Sequence, residues 1–252
     1  HPNSPVIMEP IFAIDMHVRA LPTARLGAMA DIMRVTHLDQ AILASLCREN
    51  DMYHVRQRCA ILVSRMALTM PPPTFHDMVR ATTRWPDLCR SLIGTSVILT
   101  HARSRKLVAL GLAHILRHAS AEDTGLLSAV PDMIGLWTEV LGEVVEDEAG
   151  SADRYEREMS PTRVLEIGED GIPFLDEFGL IEPASTPSST RTDAVRKRDP
   201  AFTVPLRAYV ADTLNTVLQD GSHKTELQSL LATIDPLVLD TLQRGLSERP
   251  AA

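Results

Sequence analysis

Apolar residues recur at intervals of three, four and seven positions along most of the chain, which is the spacing of amphipathic helices. Long runs that alternate between apolar and polar residues, as in half-buried strands, do not stand out. The chain has only 12 glycines, and aromatic residues make up 4% of it. Pattern and composition together predict an all-α protein.

One segment, from Arg103 to His118, is apolar on nearly every side of its predicted helix. Its sequence, RSRKLVALGLAHILRH, has a basic first turn and an apolar middle. A helix that is apolar all round must be covered from several directions, and this one is shorter than the roughly 20 apolar residues that span a membrane. We expect a buried inner helix with a close helix neighbour at Gly111. The bases of the first turn, Arg103, Arg105 and Lys106, are expected to reach the surface and to meet an acidic segment described below.

Proline and capping residues predict several helix boundaries. The triple proline at 71–73 ends one helix, because a helix interior cannot accommodate it. Pro86 breaks or kinks the next helix, and Pro131 is expected to kink a helix that runs from residue 122 to residue 145. Asp235 and Pro236 cap and open the last helix.

The predicted helices, about ten in number, are joined mostly by short turns, so neighbours should pack antiparallel. Helix pairs can be drawn from starts near Thr23, Asp51, Arg103 and Phe202. Those starts are unequally spaced, and they only suggest the repeat of about 40–47 residues that HEAT arrays show. The periodicity leaves two architectures open, a curved stack of helix hairpins and a compact α domain.

Three regions follow from the shift in composition. Residues 1–145 are predicted to form HEAT-type helical repeats. Residues 146–198 are predicted to be an acidic, Pro- and Ser-containing insertion or linker, because such a stretch buries too little apolar area to offset its ordering entropy. Residues 199–252 are predicted to be C-terminal HEAT-type helices that pack on the preceding array.

Charge and cysteine content narrow the functional classes. The net charge of -8 argues against general nucleic-acid binding, which needs a basic surface, and favours basic partners. Cys47, Cys59 and Cys89 lie in apolar-periodic segments, so we expect reduced core thiols rather than a disulfide. The chain starts at His1 without an initiator Met, and we expect it to be a piece of a longer protein.

Sequence motifs for catalysis, nucleotides or metals are not evident. His114 and His118 are spaced as a zinc pair would be, but no third ligand lies nearby in sequence. We therefore expect no metal site, no cofactor and no catalytic residue. The acidic run of Glu143, Glu146, Asp147 and Glu148 is a candidate patch for a basic partner, and a solvated linker is the alternative.

Three stretches occur in a distinctive order. They are RSRKLVALGLAHIL from Arg103, DPAFTVPLRAYV from Asp199, and LQSLLATIDPLVLDTLQRGL, which ends at Leu246. In this order, with an acidic insertion before the second stretch, they resemble the C-terminal region of importin-11-like nuclear transport receptors, a branch of the karyopherin-β family. The dipeptide Ser64-Arg65 fits the layout of that family too. Residues 151–195 do not match it, and the first 50 residues match only in character.

The resemblance implies a right-handed HEAT-repeat solenoid that carries protein cargo through the nuclear pore under control of Ran-GTP. It implies protein cargo as the direct partner, Ran and nucleoporins as partners of the full-length receptor, and shuttling between nucleus and cytoplasm. It implies no enzymatic activity. The net charge predicts no nucleic-acid partner, and the length of the apolar helix predicts no membrane insertion. The residues leave two rivals open, a HEAT scaffold subunit of a non-transport complex and an all-helical enzyme with a deep pocket of convergent titratable groups.

Overall fold

The computed structural model describes residues 10–48, 53–143, 199–219 and 224–247, apart from residues 12, 16, 20, 22, 121 and 124. Within these ranges the regular elements are helical, and helical residues occur between 10 and 19 ahead of the labelled helices. The α-helices are α1 (Thr23–Val35), α2 (Leu38–Cys47), α3 (Tyr53–Thr69), α4 (Pro72–Thr82), α5 (Trp85–Ser96), α6 (Ala102–Arg117), α7 (Val130–Glu143), α8 (Pro200–Thr203), α9 (Leu206–Gln219), α10 (Lys224–Leu231) and α11 (Pro236–Ser247). A 3-10 helix, Leu126–Ala129, precedes α7.

The helices stack as pairs in two layers. In one layer α2 contacts α5, α5 contacts α7, and α7 contacts α11; in the other α3 contacts α6, and α6 contacts α9. The layers are joined by contacts between α2 and α3, between α5 and α6, and between α7 and α9. This nearest-neighbour packing is that of a helical repeat solenoid. The prediction of an all-α stack is therefore confirmed, and the compact alternative is not what forms.

The pairs begin at Leu38, Trp85 and Val130, so successive starts are 47 and 45 residues apart. The predicted starts near Asp51 and Arg103 instead belong to the second helix of a pair. Both α1 and α4 pack beside α2. The sequence pattern missed the regular spacing because it cannot distinguish these additional helices from the members of the pairs.

Helix α6 is the buried inner helix that its composition predicted. It contacts α3, α5, α7, α8 and α9, and every residue from Leu107 to Ala113 is buried. The close approach at Gly111 is confirmed, because a Cβ atom there would lie 2.9 Å from Cα of Ser64 in α3. None of the described helices, α6 included, is long and apolar enough to cross a membrane.

Helix α3 is also buried all round over its middle, from Cys59 to Ala67. Its apolar residues are not confined to one face, because α2, α4, α5 and α6 all pack against it. Ala60, Ser64 and Ala67 are small and fully buried, which lets neighbouring helices come close.

The proline predictions hold at two places and fail at a third. Helix α3 ends at Thr69 before the triple proline, and Pro86 lies in the first turn of α5 after a true break. The single kinked helix over residues 122–145 is wrong. Helix α7 starts at Val130, so Pro131 occupies its first turn, where a missing N–H costs nothing. Gly125 ends the preceding turn with a φ of 81°.

The capping prediction at Asp235 and the core predictions for the two tryptophans are confirmed. The Asp235 carboxylate accepts a hydrogen bond from the backbone N–H of Leu237 at 2.8 Å, which caps α11. Trp85 and Trp137 are buried, and the indole N–H of Trp137 donates to the carbonyl of Ala109 at 3.0 Å. Cys59 and Cys89 are buried free thiols, as predicted, whereas the free thiol of Cys47 is only half-buried. Burial raises the pKa of the Cys89 thiol to about 12, so this thiol is unreactive.

Candidate partner-binding surface

The predicted acidic patch begins where α7 meets α6. Glu143 is the last residue of α7, and its carboxylate accepts a hydrogen bond from the guanidinium of Arg105 in α6. Glu139, one turn earlier, accepts another from Arg105 at 2.8 Å. The other three residues of the patch lie outside the described part of the chain: Glu146, Asp147 and Glu148. Glu143 is thus already engaged with a base of its own chain.

The basic first turn of α6 is more buried than the sequence suggested. The Arg105 side chain is only 14% exposed, and Lys106 is only 8% exposed. The guanidinium carbon of Arg103 lies 5.0 Å from the ring centroid of Phe202 in α8, a cation–π arrangement. The prediction that this turn reaches the surface is wrong for Lys106, which is buried. It is only partly right for the arginines, because Arg105 pairs with acids of α7 and Arg103 packs on Phe202 of α8.

Two arginines and two aspartates form a buried cluster that sequence reasoning missed. Arg65, in the middle of α3, forms ion pairs with Asp15 and, at 3.0 Å, with Asp199. Arg19 lies 2.6 Å from Asp15 and 3.8 Å from Asp199. Each buried charge therefore has an opposite charge beside it, which offsets the cost of removing the ions from water.

This cluster connects three distant parts of the sequence. Asp15 precedes α1, Arg65 lies in α3, and Asp199 caps α8 by accepting a hydrogen bond from the N–H of Ala201 at 3.0 Å. Burial works against the charge of Arg65, but Asp15 and Asp199 together raise the pKa of Arg65 above its usual value. The available signal was an arginine within the apolar run CAILVSRMAL. Burying its charge costs free energy unless acids from elsewhere in the chain pair with it.

A second buried carboxylate, Asp123, fastens the loop after α6 to α4 and α5. It accepts hydrogen bonds from Arg80 at 2.8 Å, His76 at 3.0 Å, Trp85 at 2.8 Å and the backbone N–H of Ser120 at 2.8 Å. Burial opposes its ionisation, but these bonds, that from Arg80 foremost, hold the pKa of Asp123 well below its usual range. Asp123 is therefore a charged structural anchor.

His114 contributes to the packing of α6 against α9, and His118, the residue after α6, lies beside it. Their ring centroids are 4.4 Å apart, and a hydrogen bond joins Nδ1 of His114 to the Tyr209 hydroxyl in α9. Burial, followed by the nearby charges of His118, His76 and Arg117, lowers the pKa of His114 to about 4. Over the described ranges no group of three or more potential metal ligands is found.

An open cleft of about 560 Å³ lies between α4 and the loop that follows α6. Its lining includes His76, Arg80, Ser120 and Glu122. The hydroxyl of Ser120 donates to Asp123 and accepts from Arg80, and Asp123 is a weak base because its hydrogen bonds hold its pKa below the usual range. Ser120 and Arg80 are therefore engaged in structural bonds, whereas Nε2 of His76 has no hydrogen-bond partner among the described residues.

Comparison with known proteins agrees with this architecture. A family model described as "Importin-11-like, TPR repeats" matches residues 10–247, which is nearly the whole chain. No curated protein matches the sequence, and no solved structure does. The family description names TPR repeats where the sequence suggested HEAT repeats, and both types stack helix pairs. The chain therefore belongs to the importin-11-like family of nuclear transport receptors.

Proposed function

We propose that this chain is the C-terminal cargo-binding and scaffold segment of a nuclear import receptor. The observation that carries the proposal is the family match over residues 10–247. The stacked pairs support it, because an array of helix pairs offers an extended surface to a protein ligand. Its mechanism in this proposal is binding, with no catalytic step.

The proposed partners follow from that role. This segment binds protein cargo, and the full-length receptor binds Ran and nucleoporins and shuttles between nucleus and cytoplasm. Because the resemblance places Ran-GTP mainly on N-terminal repeats of the family, we expect this segment alone not to bind Ran-GTP tightly. A nanomolar complex between the segment and Ran-GTP would contradict this expectation.

Charge distribution indicates where basic cargo would bind. Residues 144–198 carry 13 acids and seven bases, whereas the described residues carry 15 acids and 17 bases. The net negative charge of the chain therefore lies mainly in residues 144–198. We propose that Glu143, Glu146, Asp147 and Glu148 contribute to the contact with a basic cargo segment, since complementary charge speeds and orients association.

The proposed function is tested by affinity capture with the full-length receptor, with and without Ran loaded with GTP. Cargo that the receptor captures in the absence of Ran-GTP, and releases when Ran-GTP is added, supports an import function. A fixed set of partners that is insensitive to Ran-GTP would contradict the proposal and favour a scaffold in a non-transport complex.

The acidic contact is tested on the captured cargo itself. Replacement of Glu146, Asp147 and Glu148 by Gln should weaken binding and reduce its salt dependence. Matched replacements of Asp31, Asp87 and Asp240, which are acids on α1, α5 and α11, should leave cargo binding unchanged.

A further inference from the structure

One face of α4 forms a wall of the open cleft between α4 and the loop after α6, which we call the α4 cleft. Pro72, His76 and Arg80 recur there at intervals of four residues, so they lie on the same side of the helix. The loop contributes Ser120 and Glu122 to the lining. The volume of about 560 Å³ is typical of sites that hold a whole ligand. The α4 cleft therefore has room for a side chain together with its neighbours in a peptide.

His76 contributes an unsatisfied nitrogen to this wall. The residue is only 3% exposed, and its Nδ1 lies 3.0 Å from the carboxylate of Asp123. Because the pKa of Asp123 lies well below its usual range, this carboxylate is ionised and can only accept. Nδ1 therefore carries the hydrogen, and Nε2 of the neutral ring is an acceptor. Nε2 is buried without a hydrogen-bond partner in the part of the chain that the structure describes. An unsatisfied buried acceptor costs free energy, which a ligand N–H would recover.

Carboxylates outnumber bases around the α4 cleft. Nε of Arg80 lies 2.8 Å from Asp123. Nη1 of the same side chain lies 3.1 Å from Asp77 and 3.0 Å from Glu122. One guanidinium thus faces three carboxylates, and even a protonated His76 would leave this group with a net negative charge. The electrostatic field of the cleft favours a cation.

Two of these carboxylates remain accessible to a further cation. The side chains of Asp77 and Glu122 are 62% and 77% exposed, respectively. Each meets Arg80 through one oxygen, Oδ1 of Asp77 and Oε2 of Glu122. Together with Nε2 of His76 they are acceptors, so the ligand that suits them is a cation with several N–H donors.

The α4 cleft also offers surface to the stem of a long basic side chain. Pro72 and Pro73 line it at the first turn of α4. Burial lowers the pKa of His118, another lining residue, so its ring is uncharged at neutral pH. Lysine and arginine bury their stems along such surface and keep the charged group at its polar partners. Arginine suits the site better, because its planar group has five donors and is more weakly hydrated than an ammonium.

We propose that the α4 cleft binds an arginine side chain of a protein ligand. The guanidinium donates to the carboxylates of Asp77 and Glu122 and to Nε2 of His76, and the stem packs on the two prolines. This contact goes beyond the proposed function, because it assigns a site other than the acidic residues 143–148. It is measured with a peptide alone, so its outcome does not depend on cargo release by Ran-GTP.

The test is titration of the full chain with a blocked peptide, Gly-Ser-Gly-Arg-Gly-Ser-Gly, followed by nuclear magnetic resonance of the histidine rings. The Nε2 resonance of His76, assigned by its loss in His76→Gln, should shift in a saturable manner. The same peptide with citrulline, which has a similar shape but no charge, should bind at least about tenfold more weakly. This comparison uses the wild-type chain and does not depend on the folding of a variant.

Two matched double variants make the test specific. Asp77→Asn with Glu122→Gln removes the accessible carboxylates and should weaken peptide binding at least about tenfold. Asp31→Asn with Asp87→Asn should leave it unchanged. These control residues are exposed acids of α1 and α5 that pair with an arginine three positions on, as Asp77 does.

Three results would each overturn the proposal: no saturable shift at His76, equal binding of the citrulline peptide, or wild-type binding by the variant that lacks both carboxylates. Spermidine, a free polyamine, is the competing ligand. If spermidine binds the α4 cleft more tightly than the arginine peptide does, the cleft is a site for small cations, and the assignment to a protein side chain is wrong.

Discussion

The centre of the stack and its C-terminal end use similar residues with very different results. Helices α6 and α11 are both rich in leucine, yet α6 is buried on every side through its middle, while Leu242 is the buried residue of α11. The difference lies in the neighbours: α6 is enclosed by helices of both layers, whereas α11 packs mainly on α7 and α9. Burial, and therefore sensitivity to mutation, depends on the position of a helix in the stack more than on its composition.

The largest expected contrast is between two leucine-to-aspartate substitutions. Leu110→Asp places an unpaired charge at the centre of α6, where side chains are fully buried. We expect a loss of more than about 5 kcal/mol, enough to unfold the chain. Leu237→Asp, on α11 at a position 73% exposed, should change the free energy of unfolding by less than about 0.5 kcal/mol. Thermal melting of both variants measures the contrast, and equal melting temperatures would contradict the placement of α6.

The next contrast is between a buried and an exposed ion pair. Arg65→Ala removes the central base of the buried cluster and leaves Asp15 and Asp199 with less compensation. We expect a loss of about 3–5 kcal/mol. Arg244→Ala breaks the exposed pair with Asp240 on α11 and should cost less than about 1 kcal/mol. Urea denaturation with a two-state fit measures both, and a small loss for Arg65→Ala would mean that the cluster does not join α3 to α8.

Two glycines allow the centre of the stack and its C-terminal end to be compared by the addition of a single methyl group. The new Cβ of Gly111→Ala would lie 2.9 Å from the α3 backbone at Ser64, so the helices must separate, at a cost of about 1–3 kcal/mol. The new Cβ of Gly245→Ala in α11 would make an ordinary 3.5 Å contact with Leu141. This substitution should be neutral or stabilise by up to about 1 kcal/mol through helix propensity. The expected result is a lower melting temperature for Gly111→Ala and an equal or higher one for Gly245→Ala.

The smallest expected effect concerns pH at the joint between α6 and α9. The folded protein holds the pKa of His114 at about 4, below its ordinary value of 6.5. Below pH 6.5 the unfolded chain therefore binds a proton that the folded chain does not, and stability falls as the pH drops from 6.5 towards 4. We expect this group to contribute a loss of about 1–2 kcal/mol between pH 7 and pH 5.

His114→Gln is the variant that isolates this contribution. Its loss of stability between pH 7 and pH 5 should be smaller than that of the wild type, whatever its stability at pH 7. His101→Gln, at an exposed position before α6, is the matched control and should keep the wild-type dependence. Identical pH dependence in wild type and His114→Gln would show that His114 is not packed against Tyr209 as described.

Local sequence signals predicted the elements well. Proline positions predicted where α3 ends and where α5 begins, and Asp235 predicted the start of α11. The apolar circumference of Arg103–His118 predicted a buried helix, because a surface that is apolar on all sides has to be covered. These properties depend on residues close in sequence, so a linear pattern contains them.

The features that the sequence did not predict correctly share a physical reason. Arg65 looks like a surface residue until Asp15 and Asp199 are brought to it from 50 and 134 positions away. Arg105 and Arg103 look fully exposed until Glu139 of α7 and Phe202 of α8 contact them. The acidic patch was predicted as a unit, but the structure describes only Glu143, and there the partner is Arg105 of the same chain. In each case the deciding contact is between residues far apart in sequence.

By itself, the sequence determined the helical class, most helix boundaries, the identity of the innermost helix and, through the order of its stretches, the receptor family. These properties depend on periodicity, on backbone chemistry and on residue order, all of which are contained in the linear sequence. Only the tertiary structure decided which helices form pairs, which charges are buried and which face of each helix remains in solvent. Those outcomes depend on how many neighbours surround a helix and on the low dielectric they create, which is a property of the assembled stack and of no single segment.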